Sequence, residues 1–257
     1  MSRVPRLVLA AVLAAAASCA HAAQPPIQVI LVGDSTMATK SGYGDALCAR
    51  FTPEVSCHNL ARGGRSSKSF REEGRWEEVR KLLREGAPGR SYVLVQFGHN
   101  DQPGKAPRST DIVTEFPANM ARYAREVKEA GGVPVLVTPL TRRTFAGEYL
   151  KDDLMPWAEA TRRVAASAHV ALIDLNRISA GAVQAMGQAE ADTLAMAPPP
   201  LAAPAPAGSG GAVEPQGQPK SAFDRTHLGE KGAAYFSGMV AKELVRVVPE
   251  VKGYLKK

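Results

Sequence analysis

The chain has 257 residues, 45% of them hydrophobic and 22% charged, and its 32 basic against 25 acidic residues leave a net charge of +7. This composition excludes a disordered chain and is ample for one large α/β domain core. The basic excess suits an anionic polymer or surface. No Lys/Arg-dense helix with interleaved aromatics occurs, which argues against nucleic acid as a partner.

At the N-terminus Arg3 and Arg6 precede an apolar stretch over 7–17, and Ala20-His21-Ala22 sets small residues before a cut after Ala22. The pattern reads as a secretory signal peptide over 1–22, because the apolar run falls short of the ~20 residues a bilayer span needs. Ala16-Ala17-Ser18-Cys19 only loosely resembles a lipoprotein box. The mature domain, 23–257, is expected to be secreted or periplasmic, still basic, monomeric and not inserted in a membrane. Cleavage discards Cys19 and leaves Cys48 and Cys57. An oxidising compartment favours a disulfide between them; the other reading is two small buried apolar residues.

Five apolar runs stand at 27–32, 55–60, 92–97, 133–138 and 170–175, and most are aliphatic or β-branched nearly throughout, as in strands covered on both faces. Helical segments alternate with them at 44–51, 76–85, 118–130 and 154–168, and a last helix is expected over 228–247. Trp76, Val79, Leu82 and Leu83 recur at helical spacing, and Gly131-Gly132 closes the third helix. Alternating β and α predicts a parallel sheet with helices on both sides. The stretch 195–219 is dominated by Pro and Gly, cannot bury enough apolar surface to offset its ordering entropy, and is expected to be a mobile surface loop. Too little chain follows for a second domain, so it reads as an insert in a single domain.

Ligands of open α/β sheets bind outside the carboxyl ends of the strands, and four short blocks lie where such loops are expected. Gly33-Asp34-Ser35-Thr36 ends the first run. Alone it reads equally as a βα turn capped by Asp34 and Ser35. Gly63-Gly64, after the second run, allow close backbone approach and an N–H for a developing oxyanion, or simply make a flexible turn. Asn100, in Phe97-Gly98-His99-Asn100-Asp101, can offer a carboxamide N–H to the same oxyanion. Asp224 and His227 stand three apart ahead of the last helix, so the carboxylate can curl onto Nδ1 while Nε2 faces a serine; a helix cap is compatible with the same residues. A serine hydroxyl needs a neutral imidazole to take its proton and a third group to fix that imidazole's tautomer. The blocks together therefore imply acyl transfer. His58 lies inside a strand, His169 at the opposite edge, and His99 is better explained by its neighbour Asn100, leaving His227 as the base.

These blocks, in this order, resemble the SGNH (GDSL-type) hydrolase family over nearly the whole mature chain apart from the insert. Thr36 after the serine, Gly64-Arg65-Ser66-Ser67-Lys68-Ser69-Phe70, Glu73-Gly74-Arg75-Trp76 and Gly98-His99-Asn100-Asp101 look like its rhamnogalacturonan acetylesterase branch. The resemblance implies a flavodoxin-like α/β/α sandwich around a five-stranded parallel sheet. It implies Ser35 as nucleophile, His227 as base, Asp224 as its partner, and the Ser35 N–H, Gly64 and Asn100 as oxyanion hole, with no metal or organic cofactor. The implied substrate is an acetylated polysaccharide or oligosaccharide, specifically the acidic rhamnogalacturonan of pectin. Arg65 and Arg75, with Arg71, Arg142 and Arg143, are candidates to contact its carboxylates, since a guanidinium fork matches a carboxylate; each reads equally as a structural or surface ion pair. The rival readings are an esterase for acetyl-xylan, lipid or thioester, a non-catalytic carbohydrate-binding protein, and a flavodoxin-type nucleotide or flavin binder.

Overall fold

The computed structural model describes residues 25–87, 89–199 and 223–256. The leader expected at 1–22 and most of the Pro/Gly-rich insert, from 200 onward, lie outside them. In chain order the elements that shape the molecule are β1 (Ile27–Gly33), α1 (Gly44–Cys48), β2 (Val55–Asn59), α2 (Ser69–Glu72), α3 (Trp76–Glu85), β3 (Ser91–Gln96), α4 (Glu115–Glu129) and β4 (Val133–Val137). A short hairpin of β5 (Phe145–Ala146) and β6 (Tyr149–Leu150) follows, then α5 (Met155–Ser167), β7 (Ala171–Ile173), α6 (Leu175–Asp192) and α7 (Glu230–Val247), with a closing 3-10 turn at Pro249–Tyr254.

Every residue of β1 is buried. Its side chains alternate between two cores: Val29 and Leu31 join one, Ile30 and Val32 the other. A strand with no polar face must lie between two layers. The first core is closed by Leu47 of α1, Val183 of α6 and Phe236, Val240 and Leu244 of α7. The second is closed by Trp76 and Val79 of α3, Phe116, Met120 and Tyr123 of α4, and Trp157 and Val164 of α5. Each such fully buried large apolar side chain contributes about 1.5–3 kcal/mol. The five strands of the main sheet are all parallel, in the order β2-β1-β3-β4-β7. This is the flavodoxin-like order, with a switch point at β1/β3, so the expected three-layer sandwich and five-stranded sheet are present.

The differences from expectation are local. The fifth strand is only Ala171–Ile173, and Leu175 already opens α6. That helix is not foreseen in the sequence because its large apolar residues are sparse and Gly181 and Gly187 interrupt it; the chain kinks at Gly187, whose φ is +71°. The first helix ends at Cys48 rather than reaching 51, and α4 starts three residues early, with Pro117 in its first turn, where a missing N–H costs nothing.

Cys48 and Cys57 form a disulfide, 5.5 Å between Cα atoms, tying the end of α1 to β2. Closing this short loop removes unfolded-state entropy worth about 2–3 kcal/mol. The Cys48→Ala/Cys57→Ala double variant should therefore melt roughly 5–10 °C lower than the oxidised protein in calorimetry; an unchanged Tm would show that the bond is not formed in the folded protein.

Candidate active site

The turn after β1 is built by Asp34. Its Oδ1 accepts the Thr36 N–H at 2.9 Å and the Thr36 hydroxyl at 2.8 Å, and its carbonyl accepts the N–H groups of Met37 and Ala38. The turn leaves the strand at Gly33, where a Cβ would stand 2.8 Å from Gln96 O, so no larger residue fits beside β3. Ser35 emerges at the tip of this turn, and Ser41 Oγ donates to its carbonyl at 2.8 Å. Below it His99 is buried, its Nδ1 3.3 Å from Asp34 Oδ2. Burial pushes the His99 imidazole below its usual range, with Asp34 opposing.

His227 Nε2 lies 2.9 Å from Ser35 Oγ, and His227 Nδ1 lies 2.8 Å from Asp224 Oδ2. A carboxylate only accepts, so the ring proton belongs on Nδ1 and Nε2 is left to accept from the serine hydroxyl. Asp224 Oδ1 also accepts the N–H groups of Thr226 and His227, at 2.7 and 2.6 Å. Burial alone would raise the Asp224 carboxyl; the His227 ring and the two backbone donors outweigh it and hold the carboxyl well below the usual carboxylate range.

This loop is not part of the sheet, and the residue that seats it is Arg143. Its side chain is 0% exposed. Nη2 donates to Asp224 O at 3.1 Å and His227 O at 2.7 Å, Nη1 to Thr226 O at 3.4 Å, and its backbone N–H to Arg225 O at 2.9 Å. Desolvation lowers the guanidinium to about 10, still charged at neutral pH, while Asp224 and Asp192 oppose the shift. Arg225 pairs with Asp192 of α6, Leu228 donates its N–H to Ser41 O at 2.9 Å, and Gly229 donates to Leu194 O. The chain before the insert is therefore joined to the chain after it, and Leu228 ties the latter to the serine loop.

The loops after β2 and β3 complete the surroundings. Gly63 passes over the serine: a Cβ on it would stand 3.7 Å from Ser35 Cβ. Gly64 has φ +78°, a conformation that favours glycine. Among the described residues the N–H groups of Ser35 and Gly64 have no protein acceptor. Asn100 Nδ2 donates to Arg65 O at 3.0 Å, using one of its two hydrogens. Asp101 is buried and fastens the two loops together, accepting from Ser67 Oγ at 2.6 Å and Thr110 Oγ1 at 3.0 Å. Burial pushes its carboxyl up to about 7 against those donors.

Ser35, His227 and Asp224 are thus brought together, with Gly63-Gly64 over the serine and Asn100 joined to the Gly64 loop through Arg65 O. His58 lies in β2 and His169 is exposed ahead of β7, both away from the serine. The arginines behave differently from expectation. Arg143 is spent on the loop carbonyls, and Arg71 pairs with Glu126 while lying 4.1 Å from the Tyr123 ring centroid; neither is free for a substrate, because each is largely buried and held by these internal partners. Arg142 is held by Asp153 and by Gln102 at 2.9 Å. Arg65 and Arg75 both bond Glu73, at 2.9 and 2.8 Å, and Arg65 Nη1 donates to Gly63 O at 2.8 Å. Arg75, with Arg62, Asn59, Gly63 and Glu78, lines a cleft of about 380 Å³ next to the serine loop. Arg62 and the inward-facing Arg108 carry no motif signal; only the folded contacts reveal them.

A parallel α/β sandwich with a serine, imidazole and carboxylate in line at one strand edge defines a carboxylic-ester hydrolase. The model of the GDSL-like Lipase/Acylhydrolase family matches residues 31–235, and the chain belongs to that family of SGNH hydrolases. It is 31% identical over 238 residues to the rhamnogalacturonan acetylesterase RhgT of Bacillus subtilis, covering 90% of this chain and 94% of RhgT. In fold it is similar to the YxiM protein of Bacillus subtilis, with a TM-score of 0.66 at 23% identity, covering 88% of this chain but only 58% of the YxiM chain. It is also similar in fold to the acetylxylan esterase Axe2 of Geobacillus stearothermophilus, with a TM-score of 0.55 at 15% identity, covering 85% and 92% of the two chains.

The lowered Asp224 carboxyl has a consequence for stability. Its folded value lies below the ordinary 3.8, so its contribution is present above about pH 4 and lost as the pH falls further. The Tm difference between the native chain and Asp224→Asn should shrink as the pH falls below 4; parallel melting profiles down to pH 2.5 would contradict the assignment.

Proposed function

We propose that this protein is a secreted carbohydrate O-acetylesterase acting on an acidic plant polysaccharide, the acetylated rhamnogalacturonan of pectin, by a Ser-His-Asp mechanism. The observation that carries the reading is the continuous Asp224–His227–Ser35 chain of 2.8 and 2.9 Å contacts. His227 Nε2 takes the Ser35 proton as Oγ attacks the acetyl carbonyl, and the Asp224 carboxylate stabilises the imidazolium. The unspent N–H groups of Ser35 and Gly64, with the second Nδ2 hydrogen of Asn100, receive the oxyanion. The sugar hydroxyl leaves with the proton from His227, and water repeats the sequence to release acetate and restore Ser35.

Secretion is supported by the leader-like sequence at 1–22 and by the Cys48–Cys57 disulfide, a bond suited to an oxidising compartment. The substrate class is supported by the likeness to RhgT and by the cleft beside the serine loop. Arg62 is exposed there with no side-chain partner among the described residues, and Arg75 keeps its terminal nitrogens free of hydrogen bonds, so these two replace Arg65 as the groups suited to a uronate carboxylate.

Ser35→Ala should lower kcat for acetate release by several orders of magnitude, and Asn100→Ala by about 10²-fold; substantial turnover by purified Ser35→Ala would remove the mechanism. Across acetylated pectin fragments, acetyl-xylan and short acetyl esters, kcat/KM should be highest on the pectin fragments. Arg62→Ala should lower it there by about three- to fivefold, as expected for one partly exposed charge contact, and leave a short neutral ester unaffected. Equal kcat/KM on pectin and xylan would contradict the acidic substrate.

A further inference from the structure

Two arginines stand behind the groups assigned above to the oxyanion. Arg108 is only 9% exposed, and its Nη1 donates both to Gly64 O and to Asn100 Oδ1, each at 3.2 Å. Arg65 Nη1 donates to Gly63 O, which belongs to the same peptide group as the Gly64 N–H. Each arginine thus grips the oxygen end of an amide whose N–H end is offered to the substrate.

The chemistry of the guanidinium makes the arrangement one-way. It carries donors and no acceptor, so the Asn100 carboxamide must turn its oxygen toward Arg108 and its NH2 group toward Arg65 O, which leaves one Nδ2 hydrogen unspent. A flipped amide would oppose donors to donors at Arg108 and set a lone pair where negative charge develops. Donation to an amide oxygen also polarises the group and strengthens its N–H as a donor. The charge of Arg65 is matched by Glu73, whereas Arg108 has only its two neutral partners among the described residues. Its positive charge therefore stays at the back of the pocket, where the low dielectric magnifies it.

We propose that Arg108 is a positioning residue for ester hydrolysis, locking the Asn100 carboxamide and the Gly64 loop with their N–H groups toward the oxyanion, while Arg65 does the same for the Gly63-Gly64 peptide. The proposal rests on Ser35 hydrolysis as described above, and goes beyond it in naming what orients the hole.

The test is steady-state hydrolysis of 4-nitrophenyl acetate by the full chain and by Ser35→Ala, Arg108→Ala, Arg108→Lys, Asn100→Ala and the Arg108→Ala/Asn100→Ala double variant. Arg108→Ala should lower kcat by about 10- to 100-fold with KM within about threefold, because the donors it orients act on the transition state. In the Asn100→Ala background the same change should cost clearly less, since the amide it orients is gone and only the Gly64 carbonyl is left for it to hold. A role confined to stability would give the same factor in both backgrounds, and that result overturns the proposal. If Arg108→Ala does not fold, Arg108→Lys decides. It keeps the charge but cannot set its nitrogen at the position of Nη1, from which both bonds are made, so a kcat loss at unchanged KM supports the proposal and native kcat overturns it. Ser35→Ala retaining turnover would instead sink the hydrolytic reading and this proposal with it; inactive Ser35→Ala with unaffected Arg108 variants sinks this proposal alone.

Discussion

A serine hydroxyl and an imidazole 192 residues apart in the chain meet at 2.9 Å, and the constraint that permits it is the buried guanidinium of Arg143. The parallel sheet explains only half of the meeting. Parallel strands send all their βα loops to one edge, which brings the Ser35, Gly64 and Asn100 loops together without further devices. The 224–227 loop follows no strand and arrives after α6 and the insert. Three of its carbonyls would point into the protein interior without partners, and Arg143 supplies a donor to each. An unpaired buried carbonyl is expensive, and so is an unpaired buried guanidinium; together they are satisfied in one geometry. That geometry fixes the backbone from Asp224 to His227, and Leu228 N–H to Ser41 O couples it to the serine turn.

The basic character of the chain looks different once the side chains are located. A net charge of +7 invites the reading of an electrostatic surface for an anionic polymer. Several of the arginines are instead internal fixtures. Arg143 seats the histidine loop, Arg71 packs between Glu126 and the Tyr123 ring, Arg65 is braced by Glu73 while gripping Gly63 O, and Arg108 bridges two loops. Arg62 and Arg75 border the cleft beside the serine loop. In the proposed function, a polyuronate would meet the positive charge of the chain at this cleft.

Much of this architecture is legible in the chain. Continuous apolar runs such as 27–32 and 92–97 announce strands covered on both faces, and helical spacing at Trp76, Val79 and Leu83 announces α3. The motif residues Ser35, Gly64, Asn100, Asp224 and His227 are legible because a hydroxyl at a strand end, with an imidazole and a carboxylate together ahead of the last helix, has few other combined uses. The helix α6 is hidden because Ala, Gly and Gln dominate it, and burial against the rest of the first core, not periodicity, holds it in place. The roles of the arginines are hidden for a different reason. A guanidinium serves equally well on a carbonyl, a carboxylate or a ring, and which partner it meets is settled only when distant loops pack, as when Arg143 meets residues 81 to 84 positions away.

The most direct measurement is covalent labelling of the intact protein with a serine-directed fluorophosphonate, followed by intact mass and peptide mapping. One adduct per chain, on the peptide containing Ser35, is expected, formed far more slowly in His227→Ala because the hydroxyl then lacks its base. No adduct, an adduct on another residue, or labelling that is indifferent to His227 would contradict the account.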